Sequence, residues 1–211
     1  MFYLPNCYIA GASPQAQRVH PRPGDFLIAA DGGLDHWTRW GLVPDLLVGD
    51  LDSLACAPPG DIPCVKYPKR KDDTDLALAI DEALARGYGN LILTGAWGGR
   101  PDHSVAALQL LVNAAQRGAR VKMLCGGFTA TVIAGGGALR LEGKGTVSVF
   151  AWGGEAGGVT IQGLEYPLAH AALSDGHPLG VSNFLSGAGE ITLERGALLV
   201  FFEEDIKCDI A

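Results

Sequence analysis

Short apolar runs alternate with helical patterns from the start of the chain to about residue 128. Six of these runs, at residues 7–10, 26–30, 46–48, 64–67, 91–94 and 121–125, contain almost no polar residue. Such runs are typical of parallel strands that are buried on both faces. The alternation predicts an α/β domain with a mostly parallel sheet over residues 1–128.

Two amphipathic helices are predicted within this region, over residues 73–86 and 102–117. In each, apolar residues recur at helical spacing, and a glycine follows the last turn. The predicted apolar faces are Leu76, Ala79, Ile80, Ala83 and Leu84 in the first helix, and Val105, Leu108, Leu111 and Val112 in the second.

The pattern changes after about residue 128, where helical periodicity disappears. Short strand-like segments lie at residues 138–141, 147–150, 159–161, 191–193 and 198–202, and glycine-rich turns separate them. This pattern predicts a small antiparallel β domain over residues 129–211. The three glycines at 135–137 are interpreted as a turn near the domain boundary.

The composition excludes several classes of protein. Of the 211 residues, 48% are hydrophobic and 18% are charged, which argues against disorder. The net charge of −7 disfavours nucleic acid as a partner, because neutralising phosphates requires an excess of Lys and Arg. No window approaches the roughly 18 apolar residues that a membrane span needs. The charge thus favours small molecules as partners. The five cysteines form no C-x-x-C pair and show no metal-ligand spacing, so we expect reduced thiols and a cytoplasmic protein.

Two short windows carry closely spaced carboxylates. Gly49-Asp50-Leu51-Asp52-Ser53 follows the third apparent strand, and Lys71-Asp72-Asp73-Thr74-Asp75 leads into the first predicted helix. Such crowding of like charge is tolerated where solvent, cations or the counter-ions of a substrate screen it. Because Mg²⁺ binds through carboxylates together with substrate phosphates, the windows indicate phosphoryl chemistry. The alternative is a pair of acidic surface turns.

Two glycine segments also follow predicted strands, where ligands bind in parallel α/β sheets. Asp31-Gly32-Gly33 follows the second strand, and residues 95–103, GAWGGRPDH, lead from a strand into the second helix. Glycine amides, a helix N-terminus and the Arg100 guanidinium can together hold phosphate. The alternative for the second segment is a tight turn in which Asp102 caps the helix. His103 alone is weak evidence for a ligand.

Two familiar nucleotide-binding motifs are absent from the sequence. No G-x-G-x-x-G follows a strand, and Gly143-Lys144-Gly145 lacks the other residues of a P-loop. The Asp50-x-Asp52 pair is also similar to the segment of aspartyl-phosphate phosphatases in which the first aspartate is a nucleophile. That alternative gives the Lys71 to Asp75 window no role.

Taken in order, these motifs resemble those of the thiamine pyrophosphokinase (thiamine diphosphokinase) family. The resemblance rests on Ala30-Asp31-Gly32-Gly33, Gly49-Asp50-x-Asp52-Ser53, Lys71-Asp72-x-Thr74-Asp75 and Gly98-Gly99-Arg100-x-Asp102-His103. It continues through residues 163–168, GLEYPL, and 180–183, GVSN. The similarity therefore covers nearly the whole chain.

The resemblance implies a fold and a reaction. The expected fold is an α/β nucleotide domain joined to a β-sandwich-like domain, in a homodimer. The expected reaction transfers a pyrophosphoryl group from ATP to the hydroxyethyl oxygen of thiamine, giving thiamine diphosphate and AMP, with Mg²⁺.

The resemblance also implies roles for individual residues. The metal ligands would be Asp50, Asp52 and Asp75, which form the expected catalytic set together with Asp102. The nucleotide site would include Asp31, Gly32, Gly33, Lys71, Asp72, Thr74, Gly98, Gly99 and Arg100, and the thiamine site Tyr166, Ser182 and Asn183. The chain departs from many bacterial members at Ala77 and Phe184, where an acidic residue is common.

Two other functions stay open at the level of sequence. A related pyrophosphokinase that acts on a hydroxymethyl-pterin could use the same carboxylates, although the two β-domain segments favour thiamine. A non-catalytic sensor of nucleotides or thiamine derivatives is the other alternative.

Overall fold

The computed structural model describes residues 4–49, 62–66 and 73–211 of the chain. It divides into two compact units. The first comprises Met1–Leu110 and Val121–Gly126, and the second comprises Leu111–Arg120 and Gly127–Ala211.

The first unit contains a sheet whose strands are short and mostly buried. The strands are β1 (Asn6–Ala10), β2 (Phe26–Ala30), β3 (Leu46–Gly49), β4 (Cys64–Lys66), β5 (Asn90–Thr94) and β6 (Arg120–Leu124), in the order β6-β5-β1-β2-β3-β4. β1 pairs in parallel with both β2 and β5, and β3 pairs in parallel with β2 and β4. The carboxyl ends of β1, β2, β3 and β5 therefore lie at one edge of the sheet.

Helical segments follow the strands of the first unit. They are a 3-10 turn (Asp31–Gly33), α1 (Leu34–Trp40), α2 (Asp75–Ala85) and α3 (Pro101–Gln116). α1 is anchored by Trp37, a fully buried residue whose indole N–H donates to the Ile28 carbonyl at 3.0 Å. α2 begins after Thr74, whose hydroxyl accepts a hydrogen bond from the Ala77 N–H at 3.2 Å and so caps the helix.

The second unit is built from antiparallel strands. They are β7 (Phe128–Ala134), β8 (Ala138–Ala151), β9 (Glu155–Leu164), β10 (Leu168–Ser174), β11 (Gly180–Thr192), β12 (Ala197–Glu203) and β13 (Lys207–Ile210). Their order is β10-β9-β11-β8-β12-β7, and β13 pairs with β8. One edge of β8 pairs with β11 over most of its length, and the other pairs with β13 near Leu141 and with β12 near Val149. Alternate residues of these strands form a continuous buried core.

The mixed α/β class is confirmed, and the differences from the sequence predictions have local causes. Two predicted segments, at 138–141 and 147–150, belong to the single strand β8, because Gly143 and Gly145 interrupt its apolar alternation without ending it. The helix α1 was not predicted, since its seven residues are too few to show a period. Val105 was expected on the buried face of α3 but is 52% exposed. No helix in the described part of the chain is long and apolar enough to cross a membrane.

Candidate active site

Two aspartates from different elements lie close to Gly49, the last residue of β3. Asp31 begins the 3-10 turn after β2, and Asp75 is the first residue of α2. A Cβ atom placed on Gly49 would lie 3.1 Å from Asp75 Oδ1 and 3.2 Å from Asp31 Cβ. Gly49 has a φ of +150°, so both its conformation and its surroundings favour glycine. The fold thus brings Asp31, Gly49 and Asp75 together at the strand ends.

Asp31 has an unusual backbone conformation and a buried side-chain oxygen. Its φ is +45°, in the left-handed region that L-residues seldom adopt. Its Oδ1 atom is buried and accepts no hydrogen bond from any residue that the structure describes. A buried carboxylate oxygen without a donor is costly, so this atom indicates a place for a cation or a ligand donor.

A cavity of about 380 Å³ opens beside these carboxylates. Its walls come from the loops after β1, β2 and β5, the first turn of α2 and the first three turns of α3. The polar part of the lining includes Gly11, Ser13, Asp31, Thr74, Asp75, Gly98, Arg100 and His103, and the larger apolar part includes Ala12, Pro14, Leu76, Ala106, Ala107 and Leu110. The cavity therefore offers two carboxylates and a guanidinium beside an apolar wall, which suits a ligand with a charged and an apolar part.

Arg100 and Asp102 form an exposed bidentate ion pair at the start of α3. The Arg100 Nε and Nη2 atoms donate to the Asp102 carboxylate at 3.1 and 2.5 Å. The hydrogen bond from Arg100 lowers the pKa of Asp102 below its ordinary value, so its carboxylate stays charged. The helix begins at Pro101, so Asp102 lies in the first turn and is not the N-cap that the alternative interpretation required. Arg100 lines the cavity, and Asp102 orients it.

The remaining predicted nucleotide residues have mainly structural contacts in this chain. Thr74 lines the cavity, but its hydroxyl caps α2. Gly33 packs against the Ala10 backbone, and Gly99 packs against the Pro14 ring. These positions shape the walls of the cavity through the backbone.

In the second unit, Asn183 holds the backbone of Tyr166. Asn183 is 4% exposed, and its Oδ1 accepts from the Tyr166 N–H at 2.9 Å while its Nδ2 donates to the Tyr166 carbonyl at 2.8 Å. Oδ1 also accepts from the Phe184 N–H at 2.9 Å. The Tyr166 side chain is 63% exposed, and Ser182 has a φ of +59° with its N–H bonded to Ser148 Oγ at 3.0 Å. The Asn183 side-chain amide therefore stabilises the turn that carries Tyr166.

Part of the predicted site lies outside the described residues. Asp50, Asp52, Lys71 and Asp72 fall in the ranges that the structure leaves out. Within the ranges it does describe, no group of three or more His, Cys, Asp or Glu side chains is arranged to hold a metal. Asp75 is the member of the predicted metal triad whose position is described.

Sequence reasoning missed the loop after β1. Ser13 lines the cavity, and the buried His36 lies behind it with Nε2 at 2.9 Å from the Ser13 carbonyl oxygen. A glycine directly after the first strand, at Gly11, was the signal that could have drawn attention to this loop, as it did for the strands that follow.

Comparisons with known proteins identify relatives along most of the chain. Residues 22–123 match the family model described as thiamin pyrophosphokinase, catalytic domain, and residues 139–198 match thiamin pyrophosphokinase, vitamin B1 binding domain. The thiamine pyrophosphokinase of Bacillus subtilis (strain 168) is 25% identical over 190 residues, covering 84% of this chain and 87% of that protein.

Solved structures give the same result for the fold. The structure of thiamine pyrophosphokinase from Bacillus subtilis has a TM-score of 0.85 at 22% identity, with 95% of this chain and 99% of that chain covered. That of thiamin pyrophosphokinase from Geobacillus thermodenitrificans has a TM-score of 0.84 at 25% identity, with 95% and 98% covered. The resemblance seen in the sequence motifs is confirmed.

Proposed function

This chain belongs to the thiamin pyrophosphokinase family, and we propose that it transfers the pyrophosphoryl group of ATP to the hydroxyl group of thiamine. The products are thiamine diphosphate and AMP. The observation that carries the proposal is the match of both the catalytic and the vitamin B1 binding descriptions, in order, along one chain. ATP is the co-substrate and thiamine the acceptor.

The cavity of the first unit is the proposed site for the ATP phosphates. Arg100 and the first turn of α3 supply positive charge and N–H donors for phosphate oxygens, and the lining glycines let the phosphates approach the backbone closely. Lys71 and Asp72, which lie outside the described residues, complete the proposed nucleotide contacts. The ion pair with Asp102 holds the Arg100 guanidinium at the cavity wall.

The donor set fits a magnesium ion. Asp31 has a buried oxygen that finds no donor among the described residues, and Asp75 lies beside Gly49. Asp50 and Asp52 follow Gly49 in the sequence. Carboxylate oxygens are the protein ligands that Mg²⁺ prefers. When bound, the ion would neutralise charge on the transferred group.

The reaction requires positioning more than acid–base chemistry. The thiamine hydroxyl oxygen forms a bond to the β-phosphorus, the bond between that phosphorus and the oxygen bridging to the α-phosphate breaks, and AMP leaves. The lowered pKa of Asp102 makes it a weak base, so we assign Asp102 the role of orienting the Arg100 side chain. The hydroxyl proton passes to solvent as the new bond forms.

The second unit supplies the proposed thiamine contacts. The exposed ring of Tyr166 offers a flat apolar surface to the thiamine rings, and Ser182 offers a hydroxyl. Asn183 acts through the backbone of Tyr166. We further propose a homodimer, and the cysteine composition supports a cytoplasmic setting.

The direct test is an incubation with thiamine, ATP and Mg²⁺ in which all nucleotide products are resolved. Equal amounts of AMP and thiamine diphosphate are expected. ADP with thiamine monophosphate would overturn the assignment, and so would phosphate release without a thiamine product. Replacing thiamine with a hydroxymethyl-pterin should give no AMP, which separates the function from that of a pterin pyrophosphokinase.

A further inference from the structure

Two loops that line the cavity are joined through a single serine. Ser13, in the loop after β1, donates its backbone N–H to the Gly95 carbonyl at 2.7 Å. Its Oγ lies 2.5 Å from the Trp97 carbonyl oxygen and 3.0 Å from that of Gly98, so its one proton is shared between them. These partners lie in the glycine-rich loop after β5, more than eighty residues further along the chain.

The backbones of the two loops approach each other closely at Gly95, and the Gln15 side chain of the first loop contacts Gly98. A Cβ atom on Gly95 would lie 2.4 Å from the Gly11 carbonyl oxygen, and one on Gly98 would lie 2.2 Å from Gln15 Oε1. The Gly98 N–H is in turn held by Ser104 Oγ of α3 at 3.0 Å. The path of the glycine-rich loop is therefore set by the loop after β1.

His36 supports Ser13 through the Ser13 backbone carbonyl. It lies on α1, is 4% exposed, and its Nε2 is 2.9 Å from the Ser13 carbonyl oxygen. A carbonyl only accepts, so Nε2 carries the proton and donates it. Nδ1 is buried and finds no partner within the described part of the chain. Burial lowers the pKa of His36, in agreement with a neutral ring.

We infer that Ser13 and His36 are positioning residues that fix the glycine-rich loop in the shape that binds the ATP phosphates. The inference rests on the proposed function. His36 holds the Ser13 carbonyl, and Ser13 holds the carbonyls of Trp97 and Gly98, so the amides of that loop and the adjoining Arg100 keep one orientation. Neither residue needs to contact the nucleotide.

A purely structural role for His36 predicts a different outcome. His36 stacks on Trp40 with 5.7 Å between ring centroids, so packing in the core is the competing explanation. His36→Phe keeps an aromatic ring and removes the donor, whereas His36→Gln keeps an N–H donor and removes the ring. The two variants separate the hydrogen bond from the stacking.

Trp37→Phe is the matched control. It removes a buried hydrogen bond from the same helix, because the Trp37 indole donates to the Ile28 carbonyl at 3.0 Å, but it leaves the two cavity loops untouched. A general loss of stability should affect Trp37→Phe and His36→Phe alike. A loss of loop positioning should affect only His36→Phe.

The experiment measures the affinity for a non-hydrolysable ATP analogue with Mg²⁺, the KM values for ATP and thiamine, and amide hydrogen exchange of residues 95–100. We expect His36→Phe and Ser13→Ala to weaken analogue binding and raise the KM for ATP by about three- to tenfold, the scale of one lost hydrogen bond. The KM for thiamine should stay the same, and exchange at residues 95–100 should become faster. Ser13→Thr and His36→Gln should recover most of the loss, and Trp37→Phe should match the wild type.

The outcomes separate this inference from the proposed function. If the wild-type protein forms no thiamine diphosphate, the function is wrong. If it does, and His36→Phe and Ser13→Ala leave analogue affinity and loop exchange unchanged, the positioning role is wrong. Equal effects in His36→Phe and Trp37→Phe would also overturn it. If His36→Phe does not fold, the analogue affinity and hydrogen exchange of Ser13→Ala test the positioning role.

Discussion

At the scale of single residues, the candidate site depends on carboxylates that the fold forces together. Asp31 occupies a left-handed conformation and buries an oxygen without a donor in the described structure, and Asp75 approaches the same glycine from α2. Both features cost free energy in the absence of a ligand. Strain and unsatisfied charge at one place are the expected signs of a site that is completed by a cation and phosphates.

The first prediction concerns Asp75. Asp75→Asn should lower kcat by about 100-fold or more, the scale of losing one preorganised electrostatic group. The free energy of unfolding should change by less than about 1 kcal/mol, because the lost attraction to the N-terminus of α2 opposes the relief of repulsion between two carboxylates. Steady-state kinetics at saturating Mg²⁺ and urea denaturation provide the measurements.

Asp81→Asn is the control for this change, since Asp81 is an exposed residue on the same helix. It should leave kcat unchanged. Near-normal turnover of a folded Asp75→Asn protein would contradict the role of Asp75.

The second prediction concerns Asn183, whose amide holds both backbone polar groups of Tyr166. Asn183→Asp replaces the Nδ2 donor with an oxygen that repels the Tyr166 carbonyl, so the turn should shift. The KM for thiamine should rise about tenfold, on the scale of a buried polar group left unpaired, and the KM for ATP should not change.

Ser186→Ala, an exposed change on the same strand, is the matched control and should leave both constants unchanged. An increase in the KM for ATP in Asn183→Asp would show that the substitution acts on the whole fold instead of on the thiamine contacts.

At the scale of elements, the sequence predicted the strands and helices whose apolar residues form a regular pattern. The strands β1, β2 and β3 were found because both of their faces are buried, and β4, β5 and β6 because each contains a short apolar run. The helices α2 and α3 were found because their apolar residues recur at helical spacing. The strands β7, β10 and β13 were missed. β7 begins at the boundary expected near residue 128, and β10 and β13 are mostly exposed, so neither shows a clear apolar face.

Contacts between distant segments could not be predicted in the same way. The bond from Ser13 to Trp97 joins residues far apart in the chain, and no local pattern encodes it. The commitment of Asn183 to Tyr166 is similar, because the sequence motif marks Asn183 but does not show whether its amide faces a ligand or the backbone.

The third prediction belongs to α2. Thr74 was expected to bind the nucleotide, yet its hydroxyl caps the helix that presents Asp75. Thr74→Ala should lower the free energy of unfolding by about 1 kcal/mol, the usual effect of losing an N-cap, as measured by urea denaturation.

Thr74→Asn distinguishes the two roles, because asparagine caps a helix but lacks a hydroxyl. If Thr74 acts only as the N-cap, the free energy of unfolding of Thr74→Asn should return toward that of the wild type, and its kcat should equal the wild-type kcat. Restored stability with low kcat would instead make the hydroxyl a ligand.

At the scale of the whole molecule, the residues assigned to ATP belong to the first unit and those assigned to thiamine belong to the second. We propose that the homodimer contains two equivalent centres to which both copies contribute, as symmetric pairing allows. The fourth prediction is that mixing Asp75→Asn chains with Asn183→Asp chains restores part of the activity at low thiamine concentration.

Activity should return in the mixture because each mixed dimer would contain one centre without either substitution. Subunit exchange is verified by mass spectrometry of the intact dimer. Sedimentation that shows an active monomer at the assay concentration would contradict the shared centre, and so would an unchanged low activity after proven exchange.

The proposed reaction requires one ATP to donate its β- and γ-phosphates together, and the fate of the β-phosphorus distinguishes this from stepwise transfer. With ATP labelled at the β-phosphorus, the label should leave the nucleotide pool and enter thiamine diphosphate, while unlabelled AMP accumulates in equal amount. Two successive transfers of single phosphates would leave the label in ADP. Recovery of the label in ADP would therefore rule out pyrophosphoryl transfer.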